Sequence, residues 1–297
     1  MTPMTETLDS PAAIEKIHGL LNVVTEIVSL PAACIRLNEM VSDPKCSMED
    51  IGRVINQDVA LTARLLRIAN SPLYGFAAKV DTVTRAITLL GTNQVRDLAL
   101  ASAAVKTFAG IPNSLVSMQS FWEHSIYCAL AARTLAMDCL KKQREVVFVG
   151  GLLHDIGQLV IYHQLPELSR KVLESCMEGP DELESQEAER DIIGFDHAQV
   201  GHELVKRWAL PLSLQECIGF HHDPDQAVEH RVEVAIIHIA NSIATLAELN
   251  TQELDHAPRI QPIAWTLTGL EPGIIEPTIA SIQAQISSTR ALLVGRN

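Results

Sequence analysis

Aromatic side chains are scarce in this 297-residue sequence, at 4% of the residues. Strands are enriched in aromatic and β-branched residues, and Ala and Leu are plentiful here, so the composition favours helices over sheets. The chain carries no sustained apolar/polar alternation, no turn dipeptide between apolar runs, and no internal repeat. Hairpin sheets and solenoids are thereby excluded, and an all-α multi-helix bundle is the expected fold. No GxGxxG, P-loop or GxSxG pattern occurs, which removes nucleotide-fold and serine-hydrolase readings. The six cysteines, Cys34, Cys46, Cys128, Cys139, Cys176 and Cys217, form no CxxC pair. A zinc knuckle is not indicated, and they read as free core fillers.

Basic charge is short as well. Lys and Arg number 23 against 36 Asp and Glu, a formal net charge of −13. Such a surface repels phosphate backbones, so no broad nucleic-acid interface is expected. A phosphate at one metal-lined pocket is untouched by that argument. The N-terminus lacks a basic stretch followed by an apolar run, and no apolar run is read as approaching the ~20 residues that cross a bilayer. The expectation is a cytoplasmic protein, away from membranes, with reduced thiols.

What is present is helical punctuation. Ser10-Pro11 is a helix start, with Ser as N-cap and Pro at the first helical position. Ser47 with Asp50 three residues on is a capping pattern, and Leu61, Leu65 and Ile68 form one stripe. "NSPLYG" breaks the helical pattern, Gly91 reads as a C-cap, and Gly110 closes "TNQVRDLALASAAVKTFAG". "GIPNSLVS" is a linker between two halves. "EVVFVGGLLHDIGQLVIYHQL" reads as one buried helix or a pair. Residues 178–190 are an acidic run, read as a solvated loop or helix face, and "KKQRE" at 141–145 is read as a solvated loop. Asp196, with Gln199 three residues later, opens another helix, and the tail ends in one amphipathic helix near 276–294.

The histidines carry the chemistry. His124 lies on a stripe with Phe121, Tyr127, Cys128 and Ala131 that faces the core; taken alone it reads as a core histidine donating to a backbone carbonyl. His154-Asp155 follows two leucines, and both reach one ion if Gly151 and Gly157 let neighbouring helices close in; the plain alternative is a helix-end ion pair with a distant Lys. His197 sits in the first turn of its helix with Gly201 one turn on, whereas His202 points to solvent or to another element. His221-His222 is a pair at a helix end, and Asn241 is an amide in an apolar stripe that needs a partner. Each is bland alone. Together, several helices offer imidazole, carboxylate or amide groups inward, which is how metal sites are built in bundle cores. Such a donor set suits one or two divalent ions of Fe, Mn or Zn.

That ordered series resembles the HD superfamily of metal-dependent phosphohydrolases, and within it the HDOD branch. "SLPAACIRLNEMVSDP", "INQDVALTARLLRIANSPLYG" and "VTRAITLLGTNQVRDLALA" carry much of the resemblance, which covers roughly residues 20–245. It implies an N-terminal helical subdomain (20–112) packed on an HD-like core (113–245), with a tail at 1–19 and an extension at 246–297. It also implies bacterial signalling, acting through a regulatory protein partner or small signalling ligand, in a family whose members have mostly lost catalysis. Against the active HD-GYP relatives the chain matches the implied metal ligands with His124, His154, Asp155, His197, His221 and His222, and it has Asn241 where those carry a late Asp. Gln158 stands where they carry the Lys of "HDIGK", and no "GYP" loop follows the double His. The resemblance therefore implies a regulatory protein that retains a metal site. A metal-dependent phosphohydrolase of nucleotides or cyclic dinucleotides is the second reading, and a heme or oxygen-sensing diiron bundle is a weaker third. No heptad run sets an oligomeric state.

Overall fold

The computed structural model describes residues 10–24, 30, 32–43, 45–71, 74–109, 115–140, 144–176, 182–253 and 257–293. Among the described residues there is no strand, and the chain is all-α. The N-terminal half holds α1 (Pro11–Val24), α2 (Ala32–Ser42), α3 (Met48–Gln57), α4 (Val59–Ala69), α5 (Val83–Leu90) and α6 (Thr92–Ala109). Local chemistry sets their ends. The Ser10 hydroxyl accepts from the Ala13 N–H. Ser47 and Asp50 form a reciprocal capping box. Gly91 ends α5 at φ 90°, a left-handed position that favours glycine. Leu61, Leu65 and Ile68 are all buried, each worth roughly 1.5–3 kcal/mol of apolar transfer. Asn70, at the "NSPLYG" break, donates to Val80 O at 2.6 Å and accepts from Val80 N–H at 2.7 Å. Gly110 and much of the expected linker lie outside the described residues.

The second half is built on α7 (Met118–Cys139), α8 (Arg144–Leu153) and α14 (Arg231–Leu249), which pack together as its centre. Between α8 and α14 run α9 (Ile156–Gln164), α10 (Pro166–Cys176), α11 (Glu182–Ile192), α12 (His197–Arg207) and α13 (Leu212–Gly219). The C-terminal part adds a helix that the sequence reading did not separate, α15 (Pro262–Thr268), before the expected terminal helix α16 (Ile275–Leu293). The two halves meet through α6 on α8, and α16 lies against α7. α1 packs on α9 and α12 rather than on its sequence neighbours. His18 Nε2 there lies 2.8 Å from a Glu203 carboxylate oxygen.

Three expectations are corrected. Two segments, Glu145–Gln164 and Arg231–Leu249, are long and apolar enough to cross a membrane by composition. Both are mostly buried inside the bundle, and the first is interrupted by a turn at residues 154–155, so their apolarity belongs to the core. The acidic run is not a solvated face throughout: residues 182–190 lie in α11, with Gln186 and Glu189 buried, and 178–181 lie outside the described residues. In "KKQRE", Glu145 is buried and accepts from Gln94 Nε2 at 2.5 Å, while residues 141–143 lie outside the described residues. Cys34, Cys128 and Cys217 are buried as expected, whereas Cys46, Cys139 and Cys176 are half-buried.

Candidate metal centre

The long apolar segment at 145–164 breaks where His154 falls. His154 and Asp155 occupy the turn between α8 and α9, with Asp155 at φ −94°, ψ 10°. Two glycines let this turn sit deep. A Cβ on Gly151 would lie 2.9 Å from the Ala129 backbone of α7, and one on Gly157 would lie 2.0 Å from His197 O of α12. α9 and α12 are thus in backbone contact at the point where His197 begins its helix. The Asp196 and Gln199 capping box fixes that helix start. Gln186 and Arg190 of α11 reach Asp196 at 3.1 and 2.6 Å.

Asp155 is the hub. Its Oδ2 lies 3.1 Å from His154 Nε2 and 3.9 Å from His124 Nε2, while its Oδ1 lies 3.4 Å from His197 Nε2 and 3.5 Å from His221 Nε2. One carboxylate therefore faces two separate imidazole pairs. The donor atoms of Asp155, His197, His221 and His222 all fall within 4.8 Å of one another, and so do those of His124, His154 and Asp155. The expected helix-end ion pair with a distant Lys does not form; among the described residues no Lys or Arg pairs with Asp155.

The rings are pre-oriented. His154 Nδ1 donates to Gly151 O and His221 Nδ1 donates to Ile218 O, both at 2.8 Å. The neutral His221 ring then turns an Nε2 lone pair inward, and His154 Nε2 faces Asp155 and would do the same once an ion displaced its proton. His197 Nδ1 donates to Glu189 Oε2 at 2.7 Å, the carboxylate–histidine arrangement that orients metal ligands. His222 Nε2 and His197 Nε2 lie 2.8 Å apart, so one proton lies between them. His124 is not a core histidine bonded to a carbonyl: its Nδ1 lies 3.0 Å from Glu248 Oε2 and its Nε2 lies 2.8 Å from Asn241 Oδ1. Asn241 thus finds its partner across α7 and α14. His202 is not among the clustered donors, and its ring lies edge-on to Phe220.

The residues fit a cation. His154 Nε2, His221 Nε2 and Asp155 Oδ1 are buried with no hydrogen-bond partner; their mutual contacts are close but misaligned for hydrogen bonding. Buried polar atoms are rarely left so, and a cation held between them would satisfy all three. His154, His197 and His221 are fully buried and Asp155 is 3% exposed. Burial opposes charge on His154 and His197, yet Asp155 beside the first and Glu189 beside the second hold both rings well above the usual imidazole range. For Asp155 burial again opposes charge, but the His154 ring outweighs it and holds the carboxyl well below its usual range. Burial, only partly offset by Asp155, takes His221 down to about 4. Burial with His221 and His197 alongside puts His222 lower still than an ordinary imidazole.

The HDOD domain family matches this chain over residues 27–224, about two-thirds of its length. The chain belongs to the HDOD family. An HDOD domain protein of Geobacter sulfurreducens has the same fold, with TM-score 0.72, 24% identity, and coverage of 94% of this chain and 99% of that one. A protein of Shewanella amazonensis SB2B named as a candidate phosphohydrolase matches with TM-score 0.72 and 25% identity, over 93% of this chain and 99% of its own. A protein of Marinobacter aquaeolei VT8 named as a candidate signal transduction protein matches with TM-score 0.73 and 22% identity, over 99% of this chain and 68% of its own. A curated, uncharacterised protein of Treponema pallidum (strain Nichols) is 24% identical over 221 residues. That match takes in 73% of this HDOD chain and 42% of the relative, so the chain spans less than half of the relative's length.

Sequence reasoning missed Glu189, Glu248, His238 and Gln261, all of which touch the centre's histidines or their backbone. For Glu189 a signal existed: Gln186, Glu189 and Arg190 share one helix face eight or so positions before His197. The acidic surroundings masked it.

Proposed function

We propose that this HDOD chain is a bacterial regulatory module whose HD centre holds one or two divalent ions of Fe, Mn or Zn. Its ligands are His124, His154, Asp155, His197, His221, His222 and Asn241. The observation that carries this reading is the position of Asp155, one buried carboxylate facing two imidazole pairs. It signals through a regulatory protein partner or small signalling ligand, in the cytoplasm, with no role for nucleic acid or membrane. Two features favour regulation over turnover. Gln158, where a phosphate-contacting Lys would stand, accepts from the Tyr162 hydroxyl at 3.3 Å. The donor atoms are also buried, with only the His124 side of the centre partly open, at 15% side-chain exposure beside Glu248 at 29%.

A metal-dependent phosphohydrolase acting on a nucleotide or cyclic dinucleotide is the second reading. A carboxylate shared by two half-sites favours it, because paired ions clamp the oxygens of a phosphoryl group. A bound ion would supply Lewis acidity, and this chain's residues would orient it.

Elemental analysis of the purified protein beside a His154→Ala/Asp155→Ala variant tests the centre. Near-stoichiometric Fe, Mn or Zn that vanishes in the variant is expected. Metal-free protein that takes up none on addition would overturn the metal reading. Assaying the loaded protein against bis(p-nitrophenyl) phosphate and cyclic dinucleotides separates the two functions, with no turnover expected.

A further inference from the structure

Two residues past the end of the family match hold the double histidine from behind. His238, in α14, donates from Nδ1 to His221 O at 2.7 Å and accepts at Nε2 from the Gln261 N–H at 2.9 Å. Both its nitrogens are thereby used, and it is 4% exposed. Gln261, directly before α15, donates from its side-chain amide to His222 O at 2.9 Å. The carbonyls of two consecutive histidines are thus each tied to one member of a bonded pair. His221 and His222 follow α13, in a bend rather than a helix, so no helical ladder fixes their peptide planes. Those planes set the Cα–Cβ directions of both rings.

We infer that His238 and Gln261 are positioning residues for the double histidine, so that the segment before α15 sets the affinity of the centre for its ion. The inference rests on the metal reading above for its affinity consequence. It does not rest on it for the geometry, because the hydrogen bonds hold His222 against His197 whether or not an ion is bound. Groups that orient ligands without touching the metal are worth roughly 10–100-fold in affinity.

The test uses the full chain and Co(II) as the probe. Gln261→Met keeps the side-chain length and the backbone bond to His238 but loses the donor to His222 O. Gln283→Met, on the exposed face of α16, is the control. Co(II) binding is expected to weaken roughly 10–100-fold in Gln261→Met and to stay unchanged in the control. The melting temperature of the metal-free protein should stay within about 2 °C of wild type. Imidazole nitrogen NMR of the metal-free protein should show the His222 and His197 signals displaced and those of His154 in place. Unchanged affinity with unchanged imidazole signals would overturn the positioning role and leave the metal reading intact. A lowered metal-free melting temperature with every imidazole signal altered alike would mark a general prop and overturn it too. If wild type binds no Co(II), the metal reading fails on its own, and the His222 and His197 signals then decide: displaced, positioning stands; unmoved, it falls.

Discussion

Glu189 accepts two hydrogen bonds from His197, one from the backbone N–H at 2.8 Å and one from ring Nδ1 at 2.7 Å. A single carboxylate oxygen from α11 thus caps the start of α12 and fixes the ring that opens it. A buried charge with no such partner would be costly, which is why this glutamate survives inside an otherwise acidic surface helix. Glu189→Gln should therefore weaken metal binding about 10–100-fold, while Glu187→Gln, exposed on the same helix, should have no effect. Calorimetric titration with Zn(II) checks both, and equal affinities would refute the coupling.

The shared carboxylate predicts an asymmetric pattern of metal loss. Asp155→Asn removes the charge common to both half-sites, so metal content should fall to background. His124→Ala touches one half-site and leaves Asp155, His197, His221 and His222 in place, so metal content should fall by about half if two ions bind. Mass-spectrometric metal counting distinguishes the two variants, and a complete loss in both would point to a single ion spanning the cluster.

Gly157 predicts a folding defect rather than a binding one. Its missing Cβ would sit 2.0 Å from His197 O and 2.6 Å from Gly201 N, and backbone atoms cannot move aside as a flexible side chain can. Overpacking of this kind costs about 1–3 kcal/mol and sometimes more. Gly157→Ala should lower the unfolding free energy measured in urea by at least about 1 kcal/mol, whereas Gly19→Ala, with nothing within 4 Å, should raise it slightly because Ala is the better helix former.

His221 predicts how the metal-free protein responds to acid. Burial takes it from the ordinary imidazole value of 6.5 to about 4. Between those values the unfolded chain binds a proton at this position and the folded chain does not. The folded state is therefore favoured by this group above pH about 6.5, and the advantage is lost as pH falls toward 4. The span corresponds to on the order of 3 kcal/mol as an upper bound. Urea unfolding in chelator at pH 7 and pH 4.5 should show wild type losing more stability than His221→Gln, and matching losses would mean that His221 titrates as a free imidazole.

Much of the fold was legible because its signals are local. The caps at Ser10, Ser47, Gly91 and Asp196 are short-range hydrogen bonds or φ requirements, and each stands where the sequence placed it. The histidine series was legible for another reason: imidazoles on apolar stripes are rare enough that their order marks them. The partners were not legible. Helical periodicity reports which face is apolar, but not which distant helix covers it. Glu189 therefore looked solvated, and His124 looked like a carbonyl-bonded core residue. The apolar runs at 145–164 and 231–249 were passed over in the sequence although their length and composition suffice for a membrane span, and packing shows them as core segments.

The sequence by itself determined the all-α architecture, the helix ends at Ser10, Ser47, Gly91 and Asp196, the histidine series with its one carboxylate, and the glycines that let α9 meet α12. Only the tertiary structure decided that Asp155 faces two imidazole pairs, that Glu189 orients His197, and that His238 and Gln261 tie down the double histidine. The reason is physical: a helix follows from neighbours within a few residues, whereas a side chain's partner across the chain exists only once packing has brought the two backbones together.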